Sequence, residues 1–414
     1  MPALPGLTAV DKSGHDDCRE RRADPPARPM RIAYVTETWP PELNGVSLTV
    51  ERAVGFLRAR GHAVELIRPR QPGESRLDGP DELRTAGCAI PMYRELRFGL
   101  ARMATLSRRF ERSRPELVHL ATPGPLAWAA LAAARARGIA VTSDFRTNFH
   151  QYSRYYGIGF LAGAALGLLR RFHNLTDRTF VPTRAARDEL AAAGFHHLTV
   201  VGRGVDTDRF TPMRRSDVLR AAWGAGGESP VFLSVGRVAT EKNIALALRA
   251  FAAARQRRSD ARLVIVGDGP ARRRLQAAHP EALFAGVRRG EDLAAHYASA
   301  DVFLFPSLTD TFGNVVMEAL ASGLPVVAFD CAAAAEHVAD GVAGRLVAPG
   351  DEAGYVAAVE SLAVAPDSLA PMCVAAVAAA RRAAWDEVLS RFEAHLRGTV
   401  DELEATPARV PVAA

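Results

Sequence analysis

The sequence predicts an α/β protein built around two parallel β-sheets, and three features of its 414 residues support that class. Short apolar runs alternate with longer stretches that carry apolar residues at helical spacing, which is the pattern of strand–helix–strand units. Several of these predicted helices end directly before a glycine, as helices often do. The alternation starts a second time after residue 210, so we expect two halves of similar size.

The first half begins with a short buried strand, a loop rich in proline and glycine, and an amphipathic helix that ends before Gly61. Two later helices end before Gly138 and Gly194. The predicted strands are 31–36, 63–67, 117–121, 140–142, 179–181 and 199–201, and the predicted helices are 47–60, 126–137 and 183–193.

The second half repeats this order. The predicted strands are 231–236, 262–267, 302–305, 326–328 and 344–347, and the predicted helices are 244–257, 271–278, 293–299, 313–321 and about 381–403. We therefore expect a disordered, proline-rich tail at 1–29, Rossmann-like domains at 30–204 and 205–380, and a C-terminal helix at 381–405 that packs back on the first domain. Ligands of such sheets bind beyond the carboxyl ends of the strands, which predicts a site in the cleft between the domains.

Composition excludes several classes of protein. A hydrophobic content of 48% and a charged content of 24% rule out a wholly disordered chain. The longest apolar run, 158–169, is too short to span a membrane, and no secretory signal is visible. We therefore expect the protein in the cytoplasm or peripheral to the inner face of the cytoplasmic membrane.

The four cysteines lack zinc-site spacing. Without a P-loop or a G-x-G-x-x-G turn followed by an acidic residue, a dehydrogenase is disfavoured.

Basic residues are numerous but dispersed. The net charge is +6, and all but two of the 52 basic residues, Lys12 and Lys242, are arginines. No nucleic-acid-binding module is recognisable. The basic pairs are either ordinary solvated surface or a means of attraction to anionic membranes and phosphates.

The scarcity of lysine draws attention to Lys242. It follows the predicted strand 231–236 in the segment Gly236-Arg237-Val-Ala-Thr-Glu-Lys242. Two cations on a loop at a helix entrance form a strong site for a diphosphate. The alternative interpretation is a surface loop with ordinary charges.

A second segment, 306–323, places Asp310 in a strand-to-helix loop and Glu318 eight residues later within the helix. Carboxylates accept hydrogen bonds from the hydroxyls of sugars and ribose. The backbone N–H groups around Phe312 and Gly313 can also meet a polar or charged ligand. Spacing alone leaves open a helix-terminal charge with a solvated Glu318.

A third segment, Gly202-Arg-Gly204-Val-Asp206 with Phe210, lies where the chain passes between the domains. We expect Gly204 to permit a backbone turn there. The segment is otherwise explained as a simple linker.

Taken together, these segments resemble the family-4 retaining glycosyltransferases of the GT-B fold. The resemblance spans about residues 30–405 and includes the Asn-Gly45 loop, the Gly-Val-Asp-x-x-x-Phe210 crossing, the Gly-Arg237 to Lys242 segment, the 267–270 turn and the D-x7-E segment. Within the family, 309–313, 241–243, 122–126 and 170–174 are most similar to bacterial GDP-mannose-dependent α-mannosyltransferases that act on glycolipids.

The resemblance implies a role for each of these residues. Arg237 and Lys242 would hold the donor diphosphate, Glu318 the ribose hydroxyls, and Asp310, in place of the usual glutamate, the donor sugar. Gly45 would let the first loop approach phosphate and acceptor. It also implies that no metal or other cofactor is needed, because the two cations take the place of a metal. The implied partners are a nucleotide sugar, most simply GDP-mannose, and a lipid or glycan acceptor.

One departure from the family pattern concerns the donor sugar. Relatives carry a Phe-His-Thr triplet whose histidine contacts the sugar, whereas this chain has Arg146 at that position. Arg146 takes over the contact, His150 substitutes for the histidine, or the sugar preference differs. His119, near the end of a predicted strand, is a further candidate, although a lone histidine on a strand is more often structural.

Two alternatives also apply to the apolar stretch 155–171, which ends in Arg170 and Arg171. It is either a buried helix of the acceptor domain or a helix that dips into the bilayer surface and admits a lipid. A UDP-sugar-dependent transferase, a hydrolysing nucleotide-sugar 2-epimerase and a catalytically silent nucleotide-sugar-binding protein remain rivals to the mannosyltransferase.

Overall fold

Two sheets of buried, mostly parallel strands form the centres of the two halves of the chain. The computed structural model describes residues 28–40, 45–71, 73–74, 79, 81–90, 93–145, 159–308, 310 and 313–405. The predicted tail at 1–29 therefore lies outside the described residues except for its last two positions. The α/β class with two sheets is confirmed.

The first sheet has eight described strands in the order β4-β3-β2-β1-β5-β6-β7-β8, and β4 alone among them runs antiparallel to its neighbour. The strands are β1 Arg31–Val35, β2 Ala63–Pro69, β3 Glu82–Ile90, β4 Tyr93–Leu100, β5 Leu117–Leu120, β6 Ala140–Asp144, β7 Arg178–Val181 and β8 Leu198–Val200. The described helices around them are α1 Gly45–Ala59, α2 Met103–Ser113, α3 Pro125–Arg135, α4 Gly159–Asn174 and α5 Arg184–Ala192.

The second sheet has six described strands, all parallel, in the order β11-β10-β9-β12-β13-β14. The strands are β9 Val231–Val235, β10 Arg262–Val266, β11 Leu283–Gly286, β12 Val302–Phe305, β13 Val326–Phe329 and β14 Gly344–Val347. The helices are α6 Asp217–Ala222, α7 Ile244–Arg257, α8 Arg272–Ala278, α9 Gly290–Ala298, α10 Asn314–Ala321, α11 Ala332–His337, α12 Glu352–Ala363 and α13 Pro366–Arg381, with a short 3-10 helix at Thr240–Lys242. Apolar clusters cover both faces of the sheet.

Several elements were not predicted from the sequence pattern, and most of them have weak periodicity. The β3–β4 hairpin mixes arginines and glutamate with apolar residues, and β11 has only four residues. Helices α2, α6, α11, α12 and α13 were also missed. Among them, α12 and α13 are rich in alanine and have no clear polar face, so their apolar residues do not repeat at helical spacing.

The C-terminal helix α14, Trp385–Ala405, lies on the first sheet rather than the second. Its Val388, Leu389, Phe392 and Leu396 share a buried cluster with residues of β1 and α1. Glu393 of the same helix accepts a hydrogen bond from Nε2 of the buried His62 at 2.9 Å. Nδ1 of His62 accepts the backbone N–H of Met30 at 3.0 Å, so the proton of the ring is on Nε2. The helix is thereby joined to the amino-terminal edge of the sheet.

The chain crosses between the halves twice, and the two crossings run side by side. The backbone N–H of Val205 donates to the carbonyl of Ala383 at 2.9 Å, and that of Trp385 donates to the carbonyl of Val205 at 3.2 Å. Arg52 of α1 forms an ion pair with Asp206 at 3.0 Å, and its guanidinium lies 5.2 Å from the centre of the Trp385 ring. These contacts tie both crossings to the first domain.

A third link lies away from the crossings, between α5 and α11. Glu336 accepts the backbone N–H of Arg184 at 2.7 Å and pairs with its guanidinium at 3.1 Å. This link joins the amino end of a first-domain helix directly to the second domain.

Within the described part of the chain, no individual helix has the length and hydropathy of a membrane span, and α12 and α13 meet that test only as a pair bent by 109°.

The reason for a glycine at position 204 is close packing, not the backbone turn that the sequence suggested. Gly204 does not have a positive φ, but a Cβ atom there would lie 2.4 Å from Cδ2 of Trp385. Contacts this short force the neighbouring atoms to move.

We therefore expect Gly204→Ala to lower the free energy of unfolding by about 1–3 kcal/mol, the usual cost of overpacking. Thermal and urea unfolding of the full chain measure it. Gly398→Ala in α14 is the matched control, because a Cβ there meets nothing within 4 Å. That control should be neutral or stabilising by up to about 1 kcal/mol, as alanine favours helix. Equal stabilities of the two variants would contradict the packing argument.

Candidate active site

Each sheet has one point at which the strand order reverses, and ligands of open α/β sheets bind beyond the strands at such points. In the second sheet the reversal lies between β9 and β12, and in the first sheet between β1 and β5. The loops that follow these four strands carry most of the predicted site residues that the structure describes.

The loop after β9 begins at Gly236 and ends in the 3-10 helix Thr240–Lys242. It is held against the loop after β10, because Val238 donates its N–H to Asp268 and accepts that of Ala271, both at 3.0 Å. The side chain of Arg237 is 65% exposed and pairs with Glu241 at 3.2 Å. A weak, exposed pair of this kind leaves the guanidinium able to bind a ligand.

Lys242 and Asp310 meet directly across the reversal point. The ammonium of Lys242 donates to the carboxylate of Asp310 in a close, partly buried ion pair. The two residues come from the loops after β9 and β12, which are 68 positions apart in the chain. The ion pair fixes where the lysine points, so the charge on Lys242 is held at the reversal point.

Two helices begin beside this ion pair, and in neither does a side chain of the described residues cap the amino end. Helix α7 begins after Asn243, and α10 begins after Gly313. Gly313 has a φ of 88°, a conformation that glycine adopts readily and a bulkier residue does not. Uncapped N–H groups and two cations together favour an anion such as a diphosphate.

Glu318 lies on α10, where its carboxylate accepts a hydrogen bond from the hydroxyl of Tyr297 at 2.9 Å. Burial raises the pKa of Glu318, and the hydrogen bond from Tyr297 lowers it. The ring of Tyr297 in turn packs edge-on against Phe210 at 5.5 Å. The crossing segment that contains Phe210 therefore supports the residue that orients Glu318.

The remaining predicted residues that the structure describes lie on other elements. Gly204 lies at the crossing against Trp385, and Gly45 is the first residue of α1. Arg146, His150 and Phe312 lie outside the described residues. His119 is fully buried in β5, where its ring packs at a tilt against Tyr34 with the ring centres 4.6 Å apart, and its Nδ1 lies 2.9 Å from the hydroxyl of Thr142. Of its two possible roles, the structural one fits these contacts.

One acidic residue of interest was missed by the sequence analysis. Glu37, two positions beyond β1, is 7% exposed, and burial raises the pKa of its carboxyl to about 7 although hydrogen bonds from the backbones of Leu126 and Gly99 lower it. Tyr297 was missed as well. Neither residue belongs to a motif that chemistry would single out, and the only sequence signal for Glu37 is its place directly after the first strand.

Comparisons with known proteins identify the family of this chain. A family model described as Glycosyltransferase Family 4 matches residues 43–209, and one described as Glycosyl transferases group 1 matches residues 229–364. A GDP-mannose-dependent alpha-mannosyltransferase of Mycobacterium tuberculosis is 39% identical over 329 residues, which cover 78% of this chain and 85% of the relative.

A second relative is a GDP-mannose-dependent alpha-(1-6)-phosphatidylinositol monomannoside mannosyltransferase of Mycolicibacterium smegmatis. It is 30% identical over 83% of this chain and 92% of its own length. Among solved structures, the sucrose-phosphate synthase of Thermosynechococcus elongatus superposes with a TM-score of 0.68 at 18% identity, covering 90% of this chain and all of that one. This last likeness concerns the fold alone. Together the matches show that the chain is a glycosyltransferase of family 4 with the GT-B fold.

Proposed function

We propose that this protein transfers mannose from GDP-mannose to a lipid-linked acceptor with retention of the anomeric configuration. The observation that carries the proposal is the Lys242–Asp310 ion pair at the reversal point of the second sheet, with Arg237 on the same loop. Relatives at 39% and 30% identity whose names specify GDP-mannose support the donor. The lipid acceptor is supported by the second of these, which is named for a phosphatidylinositol monomannoside.

In this mechanism the second domain binds the donor. Arg237 and Lys242 bind the diphosphate and stabilise the negative charge that develops on it as the bond to the sugar breaks. Glu318 accepts hydrogen bonds from the ribose, and Asp310 binds a hydroxyl of the mannose. Because Asp310 also holds Lys242, the sugar and the diphosphate are oriented by one pair of side chains.

The acceptor reacts from the side of the first domain. Its hydroxyl oxygen bonds to the anomeric carbon on the face that the diphosphate leaves, and the proton of that hydroxyl passes to a donor phosphate oxygen. The products are the mannosylated acceptor and GDP. The positive charges of Arg237 and Lys242 serve the leaving group throughout, so we propose that transfer needs no metal ion.

A donor screen tests this function. With phosphatidylinositol monomannoside and diacylglycerol as acceptors in mixed micelles, mannose transfer should be seen with GDP-mannose and should persist in excess EDTA. GDP-mannose should also raise the melting temperature more than UDP-glucose or UDP-galactose, because only a bound donor stabilises by mass action. Transfer with a UDP-sugar alone would show that the donor is not GDP-mannose. Loss of activity in EDTA with recovery in Mg²⁺ would overturn the metal-free mechanism. Donor binding without turnover of any acceptor or of water would favour the silent binding protein.

Arg237→Ala and Lys242→Ala test the diphosphate site. Each variant removes a charge-assisted contact of about 1.5–3 kcal/mol, so kcat/KM should fall about 10- to 100-fold while the melting temperature changes little. Arg249→Ala is a matched control, since Arg249 is an exposed arginine of the same domain that forms an ion pair with Glu352. Wild-type kinetics in both site variants would show that this loop does not bind the diphosphate.

A lipid acceptor requires contact with a membrane, and α4 offers a surface for it. On one side of the helix Leu166 and Leu169 pack against a cluster that contains Phe145 and Phe195. On the other side the side chain of Leu168 is 56% exposed, and Arg171 is exposed one turn later. The two sequence alternatives therefore apply to different faces of one helix. We propose that the outer face enters the surface of an anionic bilayer at the inner side of the cytoplasmic membrane.

Leu168→Glu/Arg171→Glu should weaken binding to anionic liposomes. Insertion of Leu168 is lost, and each basic residue near an anionic surface is worth about 1 kcal/mol. Co-sedimentation at two salt concentrations measures the effect, because wild-type binding should also weaken as salt screens the charges. Val374→Glu is the control, since Val374 is an exposed apolar residue of the second domain. A wild type that ignores anionic liposomes at low salt would leave a soluble saccharide as the better acceptor.

A further inference from the structure

The first sheet has its own reversal point, and a buried carboxyl group joins the two loops that flank it. Glu37 lies in the loop after β1, and Thr122, Gly124 and Leu126 lie in and beyond the loop after β5. The backbone N–H of Glu37 donates to the hydroxyl of Thr122 at 2.9 Å, and Oε1 of Glu37 accepts the N–H of Leu126 at 2.8 Å. Glu37 is therefore attached at both its backbone and its side chain.

These contacts complete the amino end of α3. The residue at the cap position is Gly124, which has no side chain to bind the free N–H groups of the first turn. The carboxylate of Glu37 takes that place from a different part of the chain. The helix dipole favours the ionised form of Glu37 at this end of the eleven-residue helix and so opposes the effect of burial on its pKa. The backbone of Gly99 in β4 provides a further hydrogen bond, so three separate segments meet at one carboxyl group.

Two glycines allow Glu37, α3 and β4 to approach one another closely. A Cβ at position 124 would lie 1.7 Å from Oε2 of Glu37, and a Cβ at position 99 would lie 2.7 Å from the side chain of Leu126. No other residue fits either position without displacing the carboxylate or α3. The slot around Glu37 is thus shaped for this side chain, and its walls are the segments that form the carboxyl edge of the first sheet.

A buried carboxyl group is a costly way to cap a helix, because its charged form loses contact with water. A serine, threonine or aspartate at position 124 would cap the helix locally. What Glu37 adds is a fixed distance between the loop after β1 and the start of α3. In the proposed function the acceptor binds to the first domain, and ligands of such sheets sit where these two loops diverge.

We propose that Glu37 is a positioning residue for the acceptor: it holds the loop after β1 against α3 and β4, so that the acceptor side of the cleft is preformed. The proposal rests on the proposed function only in assigning the acceptor to the first domain. It requires that loss of Glu37 affects the use of the acceptor and spares the binding of the donor.

Steady-state kinetics of the full chain tests this with Glu37→Leu, Glu37→Gln and Glu393→Gln. The acceptor is whichever of phosphatidylinositol monomannoside and diacylglycerol the wild type mannosylates. Glu37→Leu should raise the acceptor KM at least 10-fold and leave the donor KM within 2-fold. Glu37→Gln keeps one acceptor oxygen for the N–H of Leu126 and should recover most of that loss. Glu393→Gln alters a buried carboxylate at the opposite edge of the sheet and should leave the acceptor KM unchanged.

Hydrogen exchange of the same variants tests the positioning directly and does not depend on turnover. Amides of 36–40 and 122–128 should exchange at least 10-fold faster in Glu37→Leu than in the wild type, with those of β9–β14 unchanged. Thr122→Val, which removes the acceptor for the backbone N–H of Glu37, should cause a smaller change in the same segments and serves if Glu37→Leu does not fold. Unchanged exchange, or equal increases in donor and acceptor KM, would overturn the proposal. A wild type with no transfer would instead refute the proposed function, and the exchange result would still decide the role of Glu37.

Discussion

The paired crossing of the chain between the two domains is the constraint on which the site depends. Hydrogen bonds between Val205 and residues 383–385 hold the outgoing and returning segments together, and Arg52, Asp206 and Trp385 close around them. Because α14 then packs on the first sheet, the two adjacent crossing segments connect the second domain to the first. The chain therefore enters and leaves the second domain at one place.

A similar arrangement recurs at the two reversal points. In the second sheet an acidic side chain, Asp310, reaches across to a cation, whereas in the first sheet Glu37 reaches across to backbone N–H groups. Both carboxylates join loops that are distant in sequence and adjacent in space. Their partners differ in charge, and in the proposed function this suits the halves to different ligands. The paired cation of Lys242 beside the starts of two helices favours a diphosphate, and the capped start of α3 favours a hydroxyl-bearing acceptor.

Most strands and the loop of Arg237 and Lys242 could be predicted from the sequence, because buried parallel strands are short apolar runs and a rare lysine stands out among arginines. The β3–β4 hairpin, α12 and α13 could not, since their residues do not alternate or repeat with a clear period. Glu37 and Tyr297 escaped for a different reason. Their importance comes from partners 89 and 21 positions away in the chain, and contacts over such separations cannot be predicted from a local sequence pattern.

The contact between Arg184 and Glu336 gives the two-domain arrangement an unequal pair of fastenings. The crossing consists of backbone hydrogen bonds backed by a tryptophan, whereas the side chain of Arg184 is 65% exposed, so its ion pair is screened by dissolved salt. The exposed ion pair should therefore weaken as the salt concentration rises, whereas the backbone hydrogen bonds of the crossing should not. In the proposed function, the separation of the two domains, and with it the rate at which the nucleotide product leaves, would then depend on the salt concentration of the medium even though no charge in the donor site has changed.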